Sequence, residues 1–361
     1  MAEAAQLATR LLEQFPDDVR AVELAGSIQY RIGQTAAALQ SWERCLRLDP
    51  QAAAVRLSRG TFYIESGDFV QAESELRTAW AQSPNSHVAH LLGQALLNQG
   101  KGAEAVEVLE RSLVADRRAV PNLVVFGQAY LQQKQDAKAR ECFLAATREA
   151  PAFANAYFGL AAACARLGEP TEAARYRDKF HQLQSQHLQE GIAQSKRYND
   201  VRTTQQSVAE AYVAAGRLYL SRGDERAAEQ HWTRAAELDP QDPDARAELA
   251  QLLVRQSRPR EALAVLEPLR ESRVQDPGLW LRLGQLHAQL QEFDQAEAAL
   301  RRAVELAPQQ AAGYAALADL LRAQRRTDDA AGAIDKALQL APGNQQYQQL
   351  QLLIRQGQRQ K

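Results

Sequence analysis

Small and large apolar residues recur along the chain at the spacing of an α-helix, and the clearest example is the stretch 209–240. Its first half places Gly216 and Tyr219 on one helical face, and after a break its second half places Ala228 and Trp232 on another. The pattern predicts two short amphipathic helices in which small residues allow close approach and large side chains fill the space beside them. Neither helix can bury its apolar face alone, so the unit needs a copy of itself on each side.

The same pattern returns at steps of 34 residues or close to it. The small residue of the second helix returns at Ala38, Ala72, Ala105, Ala139, Ala173, Ala228, Ala262, Ala296 and Ala330. The small residue of the first helix returns at Gly26, Gly60, Gly93, Gly127, Ala161, Gly216, Ala250, Gly284 and Ala318. Nine units follow, beginning near residues 19, 53, 86, 120, 154, 209, 243, 277 and 311.

This pattern resembles the tetratricopeptide repeat family, whose period is 34 residues and whose signature contains these small and aromatic positions. The resemblance covers nearly the whole chain. It implies an all-α fold: a right-handed α-solenoid of about nine helix–turn–helix units, with a half-repeat at the N-terminus and a capping helix at the C-terminus. Such repeat arrays have many unrelated functions, so the resemblance indicates a fold more strongly than a function.

The repeats predict five segments along the chain. Residues 1–18 form a half-repeat helix, and 19–187 form a block of five repeats. Residues 188–208 are an inserted extension, because the sixth unit starts 55 residues after the fifth. Residues 209–344 form a block of four repeats, and 345–361 form a capping helix and tail.

The insertion predicts one overlong helix from Thr171 to about Lys196, ending at a break near Tyr198, Asn199 and Asp200. The preferred interpretation is a spacer between the two blocks. The alternative is a partner-binding or dimerising helix, which a thin apolar stripe supports less well.

Both ends of the chain carry amphipathic helices. Ala4, Ala8 and Leu11 share one face near the N-terminus, as in the second helix of a repeat whose first helix is missing. Met1 is the only methionine, so we expect the natural protein to begin upstream, with a cytoplasmic location by default and an exported one if a signal was removed. At the other end, the side chains expected to pack inward are those of Leu350, Leu353 and Ile354.

Composition excludes two classes of partner. The formal net charge of the 361-residue chain is −1, so no bulk field attracts nucleic acid or an anionic membrane. No run of 18 apolar residues is present, so the sequence predicts no direct membrane insertion.

The three cysteines are Cys45, Cys142 and Cys164. An odd number without CxxC spacing argues against a disulfide framework or a zinc site. Cys45 and Cys164 fall at core positions of the repeat and are expected to be buried thiols. A bridge between Cys142 and Cys164, which lie on neighbouring predicted helices, stays open as an alternative.

In the tetratricopeptide repeat family the first helices line a concave groove, and their second, fifth, ninth and twelfth residues point into it. The resemblance therefore implies a candidate partner-binding groove formed by Arg20, Glu23, His87, His90, Gln94, Gln128, Asn155, Phe158, Arg217, Gln251, Gln285 and Asp319. Four of its glutamines share the ninth position. Side-chain amides both donate and accept hydrogen bonds, so these residues can bind the backbone of an extended peptide. The alternative is that they are solvated polar surface.

No motif for catalysis, nucleotide binding or metal binding is present: the chain lacks GxGxxG, GxxxxGK[ST], HExxH and GxSxG. His87 and His90 lie on one helix face without a third ligand in the register. We therefore expect no catalytic residues, no cofactor and no metal. The leading hypothesis is a non-catalytic scaffold that binds a protein or peptide partner in the groove.

Two other hypotheses stay open. In the first, the chain is the regulatory or substrate-recruiting portion of a larger enzyme or exported complex. In the second, the chain self-associates through its open ends or the inserted helix.

Overall fold

The computed structural model describes residues 1–115, 118–195 and 200–359, and in these ranges the chain is entirely helical, without β-strands. The predicted all-α fold is confirmed. In chain order the helices are α1 (Ala2–Gln14), α2 (Val19–Arg31), α3 (Thr35–Leu48), α4 (Ala53–Ser66), α5 (Phe69–Gln82), α6 (Ser86–Asn98), α7 (Gly102–Ala115), α8 (Val120–Gln132), α9 (Asp136–Glu149), α10 (Ala154–Arg166), α11 (Pro170–Ser195), α12 (Asp200–Ser221), α13 (Glu225–Leu238), α14 (Pro243–Arg255), α15 (Pro259–Leu266), a 3₁₀ helix (Glu267–Leu269), α16 (Pro277–Gln289), α17 (Phe293–Leu306), α18 (Ala311–Ala323), α19 (Thr327–Leu340) and α20 (Gln345–Arg359).

The chain divides into two compact units, unit 1 (Met1–Thr204) and unit 2 (Gln205–Lys361). Within each unit, successive helices pair as hairpins, and the first helix of each hairpin packs on the hairpin before it. The described ranges contain the hairpins α2–α3 through α10–α11 and α12–α13 through α18–α19, with α1 and α20 as single helices.

The turn inside each hairpin uses one residue with left-handed backbone. Glycine takes this position at Gly33, Gly67, Gly100, Gly168 and Gly223, with φ between 76° and 81°. Non-glycine residues take it at Lys134, Ser257, Gln291 and Arg325, with φ between 58° and 62°. Ser257, which stands where the repeat pattern expects glycine, therefore keeps the conformation of the turn. In most of these turns the next residue donates its N–H to the carbonyl five residues earlier, as Arg258 does to Leu253 at 2.8 Å.

A small residue on the first helix faces a large side chain on the second. A Cβ atom added to Gly26 would lie 2.7 Å from the Trp42 ring, and one added to Gly216 would lie less than 3.0 Å from Trp232. The predicted small residues of the second helices are buried: all are fully inaccessible except Ala173, at 9%. Trp232 also donates its indole N–H to the Val213 carbonyl at 3.1 Å. The packing of paired helices thus depends on the absence of a side chain at one position.

Phe143 shows the same constraint between successive repeats. Its ring lies against Gly127 of its own repeat and Gly159 of the next repeat, and a Cβ at either glycine would come within 3.0 Å of ring atoms. The ring itself is fully buried. One side chain on α9 therefore fixes the approach of both α8 and α10.

Ion pairs join successive repeats at an equivalent position. One partner follows the left-handed turn residue and the other follows the small alanine of the preceding second helix. Four such pairs lie in the described ranges: Lys101–Glu73 (2.6 Å), Arg258–Glu229 (2.9 Å), Arg326–Glu297 (2.7 Å) and Glu169–Arg140 (2.7 Å). In the last pair the two charges are exchanged. Partial burial raises the pKa of Glu297, but hydrogen bonds from Arg301 and Arg326 outweigh it and hold that pKa below its usual value.

The inserted segment is helical over most of its described length. α11 runs from Pro170 to Ser195, close to the predicted overlong helix, whereas Lys196, Tyr198 and Asn199 lie outside the described residues. α12 begins at Asp200, nine residues before the predicted start of the sixth repeat. The other segment boundaries remain predictions, including the interpretation of 188–208 as an extension.

Two departures from the repeat pattern have clear physical causes. α15 contains 8 residues, against 14 in α13, because Pro268 cannot continue an α-helix and the chain turns 3₁₀ at Glu267. The expectation that Leu353 packs inward is wrong: it is 53% exposed, while Ile354 is fully buried. The face of α20 that packs on α19 contains Ile354, which lies about 100° around the helix from Leu353.

We predict that Gly216→Ala lowers the free energy of unfolding by about 1–3 kcal/mol, because the added methyl group overpacks against Trp232. Trp232→Leu makes room for it, and leucine already occupies the equivalent position at Leu266, where the first helix carries Ala250. In the double variant the loss should be smaller than the sum of the single losses, measured by denaturant unfolding followed by circular dichroism.

The matched control is Gly332→Ala on α19, where an added Cβ has no neighbour within 4 Å. It should raise stability by up to about 1 kcal/mol through helix propensity. Additive losses in the Gly216 and Trp232 double variant would contradict the size-matching account.

A second prediction concerns the exchanged ion pair. Arg140→Glu or Glu169→Arg alone places like charges side by side and should lower the free energy of unfolding by about 0.2–1 kcal/mol. The two together restore an ion pair in the orientation of the other three, and stability should return to within about 0.5 kcal/mol of the parent chain. The double variant has the same net charge as the parent chain, so it also controls for the change of charge. A double variant no better than the worse single one would count against the pair.

Candidate partner-binding groove

The predicted groove residues of unit 1 lie on first helices and reach the surface. Arg20, His87, Gln128, Asn155 and Phe158 are exposed. They belong to α2, α6, α8 and α10. Glu23, His90 and Gln94 are half-buried. The register therefore places all eight on accessible or partly accessible faces, and their role in binding remains a prediction.

Burial changes the titration of two of these side chains. Desolvation raises the pKa of Glu23, whose carboxylate lies near the Cys45 thiol. Desolvation and the neighbouring His87 lower the pKa of His90, although a hydrogen bond to the Pro121 backbone opposes this. His90 is therefore a neutral imidazole near neutral pH, suited to hydrogen bonding and not to holding an anion.

Phe158 is the most exposed large apolar group among the predicted groove residues. Its side chain is 61% exposed, and its ring centroid lies 5.4 Å from that of Phe180 on α11. Phe180 stands where the second helices of the other repeats mostly carry a small residue, as Ala146 does on α9. The fifth repeat therefore presents an aromatic pair at a position where most other repeats carry a small residue.

The structure brings three predicted residues of unit 2 together. Arg217 on α12, Gln251 on α14 and Gln285 on α16 line one cavity of about 500 Å³. The Arg217 guanidinium forms an ion pair with Glu248 across α12 and α14 at 2.7 Å. Asp319 lies on α18 outside this cavity and pairs with Arg322 at 2.8 Å. Residues of three successive first helices thus line one cavity.

Sequence reasoning missed several residues of this cavity. Its walls also contain Asp244, Glu248, Arg282 and Gln289. Asp244 occupies the second position of its helix, so the register could have named it. Arg282 and Gln289 occupy the sixth and thirteenth positions, outside the four that the family geometry supplies.

Arg56 and Arg59 do not belong to the groove, in agreement with their register. Their guanidinium groups bind the two carboxylate oxygens of Glu75 at 3.1 Å and 3.0 Å. Glu75 lies on α5 and is only 8% exposed. The charge of Arg59 is therefore balanced inside its own hairpin by Glu75.

All three cysteines are free thiols, Cys45 and Cys164 buried and Cys142 half-buried. Desolvation, with smaller contributions from Glu23 and Asp49, raises the pKa of Cys45 to about 11. Desolvation and Glu141 raise the pKa of Cys142 to about 12. Because the thiolate is the reactive form, these sulfurs are poor nucleophiles at neutral pH.

Two other kinds of feature, metal clusters and membrane-spanning helices, are absent from the described residues. No group of three or more His, Cys, Asp or Glu side chains in that part of the chain is arranged to hold a metal ion. None of the helices described above is long and apolar enough to cross a membrane.

Comparison with known families decides the classification. Two family models, both described as tetratricopeptide repeat, match the chain. The first matches residues 2–53, 124–179, 213–272, 247–311 and 281–345, and the second matches 30–95 and 63–124. The chain belongs to the tetratricopeptide repeat family. Proteins of this family serve as protein-interaction scaffolds, so protein or peptide partners are implied for this tetratricopeptide repeat protein.

Individual relatives of this tetratricopeptide repeat protein are distant. The Vi polysaccharide export protein VexE of Salmonella typhi is 25% identical over 162 residues, covering 44% of this chain and 25% of that protein. The CTR9 homolog of Arabidopsis thaliana is 24% identical over 265 residues, covering 70% of this chain and 22% of that protein. The chain therefore spans about a quarter of the length of these curated relatives. Among solved structures, YrrB, a tetratricopeptide repeat protein with an unusual peptide-binding site, is 20% identical, with 53% of this chain and 99% of that one covered and a TM-score of 0.45.

The thiol chemistry gives a third prediction. At about pH 8 the native chain should react with Ellman's reagent much more slowly than free cysteine, whose pKa is about 8.5, because the thiols stay protonated and shielded. After denaturation in guanidinium chloride all three thiols should react at once. Rapid labelling of the native chain would contradict the burial, and fewer than three reactive thiols after denaturation would indicate a disulfide.

Proposed function

We propose that this chain is a non-catalytic scaffold that binds a protein or peptide partner in the groove formed by its first helices. The observation that carries the proposal is the cavity of unit 2, where residues from α12, α14 and α16 meet in a volume of about 500 Å³. Pockets of about 300–1,000 Å³ suit a small ligand or a few residues of chain, not a folded domain.

The lining of this cavity favours a polar chain over a purely apolar ligand. Its floor is apolar, with Ala250, Leu266 and Leu286 each less than 5% exposed. Its rim carries the Arg217–Glu248 ion pair and glutamine amides. An apolar floor with a few polar groups around it is the usual construction of a binding site, where the polar groups fix orientation.

A blocking substitution tests the location without assuming which chemistry binds. Random peptides about twelve residues long, roughly 40 Å when extended, are first selected on the full chain by display. Ala247→Trp on α14 then places an indole in the cavity, and we expect affinity for the selected peptides to fall by roughly tenfold or more, measured by fluorescence polarisation.

The matched control is Ala298→Trp, at an exposed alanine on the second helix α17. It should leave affinity nearly unchanged, and circular dichroism confirms that both variants remain folded. Failure to select any peptide would contradict the proposed function. A larger loss from Ala298→Trp than from Ala247→Trp would place the binding surface on the second helices instead.

A further inference from the structure

A second cavity lies in unit 2 on the opposite side of α16. Its volume is about 550 Å³, and it shares no residue with the groove cavity, the cavity that Gln251 and Gln285 line. Each α16 residue that borders the second cavity stands two positions before one that borders the groove cavity, and the pairs are Trp280 and Arg282, Leu283 and Gln285, and His287 and Gln289. Two positions correspond to about 200° around a helix, so α16 separates the two cavities.

The floor of the second cavity is apolar. Its remaining wall residues come from the 3₁₀ helix, the turn that follows it and α17, and they are Glu267, Arg270, Gln295, Ala298, Ala299 and Arg302. On the floor, Leu283 and Ala299 are only 1% and 5% exposed. Such a floor favours an apolar group of a ligand, because their contact removes both surfaces from water.

Trp280 is held in place before any ligand binds. Its indole N–H donates to the Val274 carbonyl at 2.9 Å, and the Arg270 guanidinium lies 5.6 Å from the centre of its ring. The other three tryptophans of the chain lie on second helices and are at most 9% exposed, whereas Trp280 lies on a first helix and is half-buried. An ordered, partly exposed aromatic ring can contact a partner at low entropic cost, since it has little freedom left to lose.

Positive charge exceeds negative charge in the walls of this cavity. They contain two arginines, Arg270 and Arg302, and one carboxylate, that of Glu267. Arg270 donates to Glu267 at 2.9 Å, and Arg302 donates to Glu305, farther along α17, at 3.1 Å. A guanidinium group has five N–H donors, so both arginines keep donors for a further acceptor. The acceptor that matches a guanidinium group best in charge and shape is a carboxylate.

The equivalent cavity one repeat earlier, between α13, α14 and α15, has the opposite balance of charge. Three glutamates and two arginines line it, and Arg258 there binds Glu261 at 2.7 Å. Thirty-four residues farther along the chain, Ala236 of that cavity corresponds to Arg270, and Glu261 corresponds to Gln295. The positive wall of the second cavity is therefore a feature of this repeat and not of the repeat pattern.

We propose that the second cavity is a docking site for a short acidic segment of a partner protein. The segment places one large apolar side chain on the floor beside Trp280 and a neighbouring carboxylate against Arg270 and Arg302. A cavity of this size holds a large side chain with its neighbours, and tryptophan and arginine are residue types enriched at protein interfaces. The site is separate from the groove, so the chain can hold two segments at once.

The test selects random peptides by display on the full chain carrying Ala247→Trp, which fills the groove cavity. We expect the selected peptides to be enriched in a large apolar residue with Asp or Glu within two positions. Adding Ala298→Trp, which fills the second cavity, should lower their affinity by roughly tenfold or more, measured by fluorescence polarisation. Peptides that bind the groove cavity of the parent chain should be insensitive to Ala298→Trp.

A charge reversal tests the acidic part of the segment. Arg302→Glu should weaken binding of the selected peptides by roughly threefold or more, and replacing the acidic residue of the peptide by lysine should restore affinity for this variant. The matched control is Arg301→Glu, which makes the same change of charge on α17 and also removes an ion pair, with Glu297, but does not border the cavity. It should leave affinity nearly unchanged.

The outcomes separate this inference from the function proposed for the groove. If no peptide is selected on the Ala247→Trp variant, or if the selected peptides are basic or insensitive to Ala298→Trp, the second site is wrong and groove binding is unaffected. Equal losses from Arg301→Glu and Arg302→Glu would also contradict it. Circular dichroism checks that each variant is folded, and if Ala298→Trp is not, the comparison of the two arginine variants decides.

Discussion

The close approach of paired helices at positions without a side chain is the constraint on which the rest of the structure depends. Gly26 receives the ring of Trp42, and Gly127 and Gly159 receive the two sides of Phe143. A methyl group at any of these glycines would require the neighbouring ring to move. The two helices of each hairpin can therefore pack at only one separation. The stacking of the hairpins then fixes which face of each first helix remains accessible.

That fixed face links the packing to the candidate site. Because the small residue occupies the eighth position of each first helix, the ninth residue turns about 100° away from the paired helix. Arg217, Gln251 and Gln285 occupy this position on α12, α14 and α16, and they meet at one cavity. The same small residues that bury the hairpin interior thus determine where the amide groups lie. The ion pairs between successive repeats, such as Arg258–Glu229, help to fix the register of the repeats and lie outside this cavity.

Much of this arrangement is visible in the sequence, because packing leaves a periodic trace wherever a helix touches its neighbours. The alanines of the second helices, from Ala38 to Ala330, are examples. Positions without such contacts leave no trace: the start of α12 at Asp200 falls in a segment without repeat residues. At Leu352 and Leu353 periodicity alone could not choose which residues face inward, and packing on α19 buried Ile354. Arg282 and Gln289 border the cavity from positions that the family geometry does not assign to it.

A crystal structure of the full chain with a selected peptide tests the central claim most directly, because it shows which surface of the protein the peptide contacts. The account predicts a peptide bound across α14 and α16, in the cavity that Gln251 and Gln285 line. A peptide bound on the second helices would contradict it.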